Sequence, residues 1–351
     1  TQNNINIIQS SSFYESLSWP DEKKPKFLNI VLRVQTSLEP VKLLNKCKKI
    51  EFELATQFNQ DLSEKSIVLS GNNVQRGWLE SLDKERLKFN YYDAYREFLQ
   101  QIGRSAKVIE ENEKIIDSIL DLSGDPLQTG QWSRRGLVMG NVQSGKTQNY
   151  LGLINKAADL GYKMIIILGG HQNELRDQTQ LRINEGFIGH DNSNGQKEIG
   201  VGAIRDINEY GVHEGTSIES DFNQRAARTF KFHVPGTTIP IIFCVKKNVS
   251  ILNTLYEWIK NKHKLDPENN NRLKLPILFI DDEADYATPN TRQKYLDITA
   301  TNEKIRNILN LFDRNTYVGY SATPFANIFI DPNNKDAMLG ENLFPKDFLI
   351  R

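Results

Sequence analysis

The octapeptide GNVQSGKT at residues 140–147 limits the possible folds of this chain more than any other stretch. It follows a short apolar run, residues 136–140, and it opens residues 147–160, where apolar positions recur at helical spacing. A strand, a glycine-bounded loop and a helix in that order make a phosphate-binding loop. Small residues let the backbone curl so that several N–H groups point inward, and the helix N-terminus adds a partial positive charge. The candidate nucleotide-binding residues are therefore Gly140, Asn141, Val142, Gln143, Ser144, Gly145, Lys146, Thr147 and Gln148. Lys146 sets an ammonium against the β- and γ-phosphates, and the Thr147 hydroxyl is a magnesium ligand. The expected cofactors are ATP and Mg2+.

The flanking sequence predicts the architecture around the loop. From residue 135 onward, short apolar runs at 136–140, 164–169, 240–245, 276–280 and 316–320 alternate with amphipathic stretches at 147–160, 173–185, 251–262 and 302–312. Continuous apolar strands joined by helical crossovers predict a doubly wound α/β domain with a mainly parallel sheet. Residues 186–236 interrupt this rhythm; they are polar and rich in Gly and Asn, and they suggest an insertion or mobile lid. Residues 1–125 are expected to form a mostly helical N-terminal region with one candidate strand at 27–34, and residues 126–351 the phosphate-loop domain. A lysine cluster at 42–49 suits a solvated helix face.

Further candidate residues lie at strand ends. Residues 277–280 are apolar and lead directly into Asp281, Asp282, Glu283 and Asp285. Carboxylates at a strand end downstream of a phosphate loop supply the magnesium-binding acid and the catalytic base. Ser321, Ala322 and Thr323 follow the next apolar run. Lys246 and Lys247, at the end of residues 240–245, suit contacts to a nucleic-acid backbone.

Composition narrows the rest. The chain has 44 basic and 44 acidic residues, so no global field favours nucleic acid and any such contact must be local. Cys47 and Cys244 are its two cysteines, which gives no disulfide framework and makes a reducing cytoplasm the expected location. The apolar runs are too short to span a bilayer, and the start has no signal-peptide pattern. The five histidines show no metal-ligand spacing.

Several motifs taken together resemble a known family. Residues 282–285 spell Asp-Glu-Ala-Asp, similar to the motif of DEAD-box helicases. That register implies Asp282 as the magnesium-side acid and Glu283 as the base, with Asp281 leaving it open by one residue. The Ser-Ala-Thr tripeptide resembles the superfamily-two element that couples nucleotide state to nucleic acid, here Ser321 and Thr323. With WSRRGLV at 132–138, VQSGKTQNY at 142–150, LRDQT at 175–179 and SATPFAN at 321–327, the chain resembles the bacterial Z-one domain family. Gln143 is typical of that family, where DEAD-box enzymes carry glycine. The resemblance implies a RecA-like P-loop domain and an ATP-hydrolysing, helicase-like motor acting on DNA rather than RNA in anti-phage defence. It also implies partner ATPase and nuclease subunits. An ATP-gated switch for a partner nuclease and an endonuclease component are the alternatives. In such motors a second RecA-like domain supplies an arginine finger; its absence here would make turnover slow.

Overall fold

A computed structural model describes residues 5–10, 14–16, 27–29, 32–36, 68–70, 77–82, 88–140, 145–191, 197–230, 239–262, 266–285, 300–322, 335–336, 340–341, 343 and 345–350. The chain divides into two compact units, Thr1–Lys65 and Ser66–Arg351. The described part of the first unit consists of strands β1 (Ile5–Ser10), β2 (Tyr14–Ser16), β3 (Phe27–Asn29) and β4 (Leu32–Thr36). β1 runs antiparallel to β4, with Ile5 opposite Thr36, and β2 runs antiparallel to β3. The single strand expected at 27–34 is split into two, each paired elsewhere. The lysine cluster at 42–49 and Cys47 lie outside the described residues.

The second unit carries the remaining strands: β5 (Val68–Ser70), β6 (Trp132–Met139), β7 (Met164–Leu168), β8 (His190–Asp191), β9 (Lys197–Glu198), β10 (His213–Glu214), β11 (Ile241–Val245), β12 (Leu273–Asp282), β13 (Phe312–Ser321), β14 (Lys335–Asp336), β15 (Gly340–Glu341) and β16 (Phe348–Ile350). Its helices are α1 (Asn90–Gln101), α2 (Ala106–Ser123), α3 (Lys146–Leu160), α4 (Asn173–Ile183), α5 (Gln224–Thr229), α6 (Val249–Lys262) and α7 (Ala300–Asn310). An eight-stranded sheet runs in the order β10-β11-β7-β12-β13-β6-β16-β5. All neighbours are parallel except β16 and β5. This is the mainly parallel α/β architecture expected from the alternating runs.

Strand alternation explains why both faces are covered. Along β7, Ile165 and Ile167 enter one buried cluster, with Tyr95, Ile116 and Leu153 from α1, α2 and α3. Met164, Ile166 and Leu168 enter the other, with Leu255 and Trp258 of α6 and Ile308 of α7. Successive side chains point to opposite faces, so a strand sandwiched between helix layers must be apolar throughout. Each fully buried Ile or Leu contributes about 1.5–3 kcal/mol. At one point the sheet leaves no room for a side chain. A Cβ on Gly136 in β6 would lie 2.0 Å from the Phe348 ring of β16.

Two expectations about domain organisation differ from the structure. The compact unit that holds the phosphate loop begins at Ser66 rather than near residue 126, because α1 and α2 share a core with α3. Residues 186–236 are built into the fold where they are described. Val201 and Phe222 are fully buried, and β10 joins the sheet beside β11. Phe222 packs edge-on against Phe243 at 5.0 Å between centroids, an apolar anchor that the polar composition around it obscures.

Helix α1 shows how one element starts with help from another. Its N-cap position, Phe89, has no side-chain cap. The Asp159 carboxylate, at the end of α3, instead accepts the Tyr91 and Tyr92 backbone N–H groups at 3.0 and 2.9 Å. Burial pushes its pKa up to about 7, with those two N–H bonds working the other way. A carboxyl whose pKa is higher folded than unfolded contributes stability that is complete below the unfolded value and lost as pH rises through about 7. Between pH 4 and pH 8, Asp159→Asn should therefore gain on the wild-type chain by on the order of 4 kcal/mol. Urea denaturation of both proteins at the two pH values checks this, and a constant difference between them would contradict it.

Candidate nucleotide site

Gly140 and Gly145, which bracket the candidate phosphate loop, lie between the C-terminal end of β6 and the start of α3, at the carboxyl edge of the sheet where open α/β sheets bind ligands. Gly140 N–H donates to the Ser321 carbonyl at 3.1 Å, which extends the β6–β13 ladder to the start of the loop. Gly145 caps α3 in the left-handed region at φ +81°, with nothing within 4 Å of a Cβ built there. Glycine is thus required by backbone conformation and not by space. Lys146 is the first residue of α3, and its Nζ donates to the Gly140 carbonyl at 3.3 Å, folding back across the loop. The Gln148 carbonyl is held by the Tyr95 hydroxyl at 3.1 Å. Asn141, Val142, Gln143 and Ser144 lie outside the described residues.

The acidic strand end is β12, separated from β6 by β13 alone. Asp281 is fully buried and bound on both sides. Its Oδ1 pairs with Lys247 Nζ at 2.6 Å, and its Oδ2 accepts the Tyr317 hydroxyl at 2.7 Å. Asp281 is therefore committed within the core, and Asp282 is the first carboxylate of the run to reach the site. Burial raises the Asp282 pKa and the neighbouring Glu283 raises it further, while the charges of Lys247 and Lys146 oppose both. A bound magnesium ion would add to that opposing charge and favour the ionised acid.

Glu283 is exposed and has φ +57°, an uncommon conformation for a side chain of its size. Three hydrogen bonds hold this turn. Glu283 N–H donates to Asp282 Oδ1 at 3.1 Å, and the next N–H, of Ala284, donates to the Tyr320 carbonyl at 2.9 Å. Lys247 Nζ donates to the Glu283 carbonyl. Strained backbone of this kind persists only where its surroundings over-determine it. Sequence reading missed this arrangement. The one available signal was the coincidence of a strand-end lysine, Lys247, with an extra strand-end acid, Asp281.

Among the described residues, no group of three or more His, Cys, Asp or Glu is placed to hold a metal ion. The residues present do fit a magnesium–nucleotide complex. That ion characteristically takes one or two protein oxygens and completes its shell with phosphates and water. Thr147 Oγ1 and the Asp282 carboxylate are the matching donors.

Other sequence-predicted residues are occupied elsewhere. Lys247 has a fully buried side chain and cannot meet a nucleic-acid backbone. Lys246 is engaged by Asn173 Oδ1 at 2.7 Å. Arg176, in the 175–180 segment, is buried with its Nε on the Cys244 carbonyl at 3.0 Å. Ser321 is fully buried, and its hydroxyl donates to Asp285 Oδ1 at 2.7 Å, while Thr323 lies outside the described residues. Trp132 packs over Gly124 and edge-on to Tyr162 at 6.3 Å, within the core. No helix among the described residues is long and apolar enough to cross a membrane.

Comparison with known proteins places a different family at the start of the chain. Residues 1–67 match the model of 7,8-dihydro-6-hydroxymethylpterin-pyrophosphokinase (HPPK). A 2-amino-4-hydroxy-6-hydroxymethyldihydropteridine pyrophosphokinase of Haemophilus influenzae is 30% identical over 101 residues, which are 27% of this chain and 59% of that protein. Its counterpart in Aquifex aeolicus is 46% identical over 50 residues, 14% of this chain and 31% of that protein. The chain thus spans about three fifths of the first relative and under a third of the second. The residues matched by the family model nearly coincide with the first compact unit, Thr1–Lys65, and the candidate phosphate loop and acidic strand end lie outside them.

These matches correct the family and functional expectations. The Z-one resemblance is overturned, and with it the helicase-like motor, the DNA partner, the defence complex with its ATPase and nuclease subunits, and the arginine finger from a second motor domain. The commitment of Lys247, Arg176 and Ser321 gives a physical reason on the structural side. Of the residues proposed to touch or sense nucleic acid, Lys247 and Ser321 face inward, while Lys246 is half-buried with its ammonium on Asn173.

Proposed function

We propose that this chain is an ATP- and magnesium-dependent enzyme of the kinase type, moving a phosphoryl or pyrophosphoryl group from ATP to an acceptor. The observation that carries this reading is the placement of Lys146, at a glycine-capped helix start after β6, on the same sheet as Asp282 at the end of β12, with β13 alone between the two strands. In it, Lys146 neutralises the phosphate chain, and Thr147 and Asp282 would hold magnesium, which would offset the negative charge on the leaving phosphate oxygens. Glu283 takes the proton of the attacking hydroxyl. The pyrophosphokinase family match at residues 1–67 and the pyrophosphokinase relatives support pyrophosphoryl transfer, and a hydroxymethyl-bearing dihydropterin as the acceptor.

The test is to incubate the full chain with ATP and Mg2+, with and without 6-hydroxymethyl-7,8-dihydropterin, and to separate the nucleotides. AMP formed only with the pterin supports pyrophosphoryl transfer, ADP formed only with the pterin supports phosphoryl transfer, and ADP with free phosphate formed equally without it is hydrolysis and counts against transfer. No consumption of ATP under either condition would overturn the proposal. Glu283→Gln should retain ATP binding and lower turnover by about 10²–10⁴-fold, because the amide keeps the shape of the side chain but cannot accept the proton. Isothermal titration and initial rates on the purified variant check the two halves separately.

A further inference from the structure

A second cation, unmarked by any motif, lies against the candidate site. Arg182 is in the last turn of α4, and its Nη1 donates to Thr147 Oγ1 at 3.0 Å. Its side chain is exposed, and among the described residues it forms no ion pair with a carboxylate. The other arginines near this core are committed. Arg176 is bound to backbone carbonyls and to Asp177, Arg205 to the Phe187 and Ile188 carbonyls, and Arg135 to Asn315. A guanidinium whose described partner is a neutral hydroxyl retains most of its capacity to bind an anion.

The backbone that carries Arg182 is fixed even though its side chain is in solvent. The helix changes at once into a π-turn, Asn184–Ile188, in which the Gly186 carbonyl accepts Asn155 Nδ2 at 2.8 Å. A Cβ on Gly186 would lie 3.1 Å from the Tyr95 ring and 3.2 Å from Leu151, so the π-turn that ends α4 is seated tightly against α1 and α3. Such π-turns recur at functional sites. Here it directly follows the one turn of α4 that reaches the phosphate loop.

We infer that Arg182 is a phosphate-binding residue of the nucleotide site, supplied by the same chain from α4. This rests on the proposed magnesium–nucleotide site. A magnesium ion bound to Thr147 would sit about 2.1 Å from the oxygen that Arg182 now contacts. Two cations on one hydroxyl repel, so loading the site drives the guanidinium off the hydroxyl and onto the phosphate oxygens alongside. The planar fork of arginine matches two phosphate oxygens, which a lysine ammonium cannot do. The device keeps the site occupied by a cation before nucleotide arrives and places that charge on the phosphate chain afterwards.

The experiment compares binding of MgATP to the full chain and to the Arg182→Gln, Arg182→Lys and Lys146→Ala variants by titration calorimetry. Arg182→Gln should weaken MgATP binding by about 10- to 100-fold, the range of a lost charge-assisted hydrogen bond. Arg182→Lys should restore part of the loss. The unfolding temperature without nucleotide should be unchanged, because the side chain is exposed. Equal affinity of Arg182→Gln and the wild-type chain, with Lys146→Ala defective, would overturn this inference alone. A wild-type chain that does not bind MgATP, or a Lys146→Ala variant that binds it normally, would overturn the site beneath it.

Discussion

Lys146→Ala should lose MgATP affinity by about 100-fold or more while leaving the fold intact. The lysine heads α3, where the helix N-terminus already favours negative charge, and it adds the cation nearest to the loop it folds across. Charge-assisted contacts to phosphate are roughly twice as strong as neutral ones, and at least two phosphate oxygens lose one. The stability cost should be small, because among the described residues Nζ makes a single hydrogen bond, the 3.3 Å contact to the Gly140 carbonyl. A thermal shift separates the effects. Ligand at about 100 times its Kd stabilises a protein by about 2.7 kcal/mol, so ATP should raise the unfolding temperature of the wild-type chain and not that of the variant. An ATP-induced shift of equal size in both would contradict the assignment.

The largest effect on stability is expected from Lys247→Met. It leaves the Asp281 carboxylate in the core without the ammonium that lies 2.6 Å away, both side chains being fully buried. Removing one partner of a buried pair costs about 3–5 kcal/mol, since the remaining charge has no solvent to stabilise it. Tyr317 still donates to Asp281 and softens the loss, but a phenol is neutral and its own pKa is held far above the usual tyrosine range by burial beside that carboxylate. The Lys247→Met, Asp281→Leu double variant should recover most of the stability, because replacing a buried pair by apolar groups is often neutral. Denaturant midpoints of wild-type, single and double variants give the coupling directly. A double variant no more stable than the single one would show that the pair does not act as a unit. The double variant should also turn over ATP slowly, since the Glu283 carbonyl loses the Lys247 ammonium that helps hold its left-handed turn.

The same two residues show where sequence reading stops. A lysine at the end of one strand and three acids at the end of another are visible as a string, and exposed contact with nucleic acid is a reasonable use for the lysine. The pairing is not visible, because residues 247 and 281 meet only after β11, β7 and β12 have aligned side by side. Arg182 was silent for a related reason. Its distance from Thr147 is set by the seating on α1 and α3 of the π-turn that ends α4, which involves Gly186 and Asn155. Residues 186–236 failed differently, since their polar composition masked a few deep anchors such as Phe222.

What the sequence determined by itself was local and periodic. The strands β6, β7, β11, β12 and β13 and the helices between them fall where apolar runs and helical spacing place them, since strands buried on both faces must be apolar throughout. The helix start at residue 146 was legible for a similar reason, since Gly145 stands at its cap in the left-handed region that favours glycine. The tertiary structure alone decided which carboxylates remain for chemistry, because burial and a lysine 34 positions away remove Asp281 and leave Asp282 and Glu283. Charge pairing acts through space and desolvation, and neither is ordered along the chain.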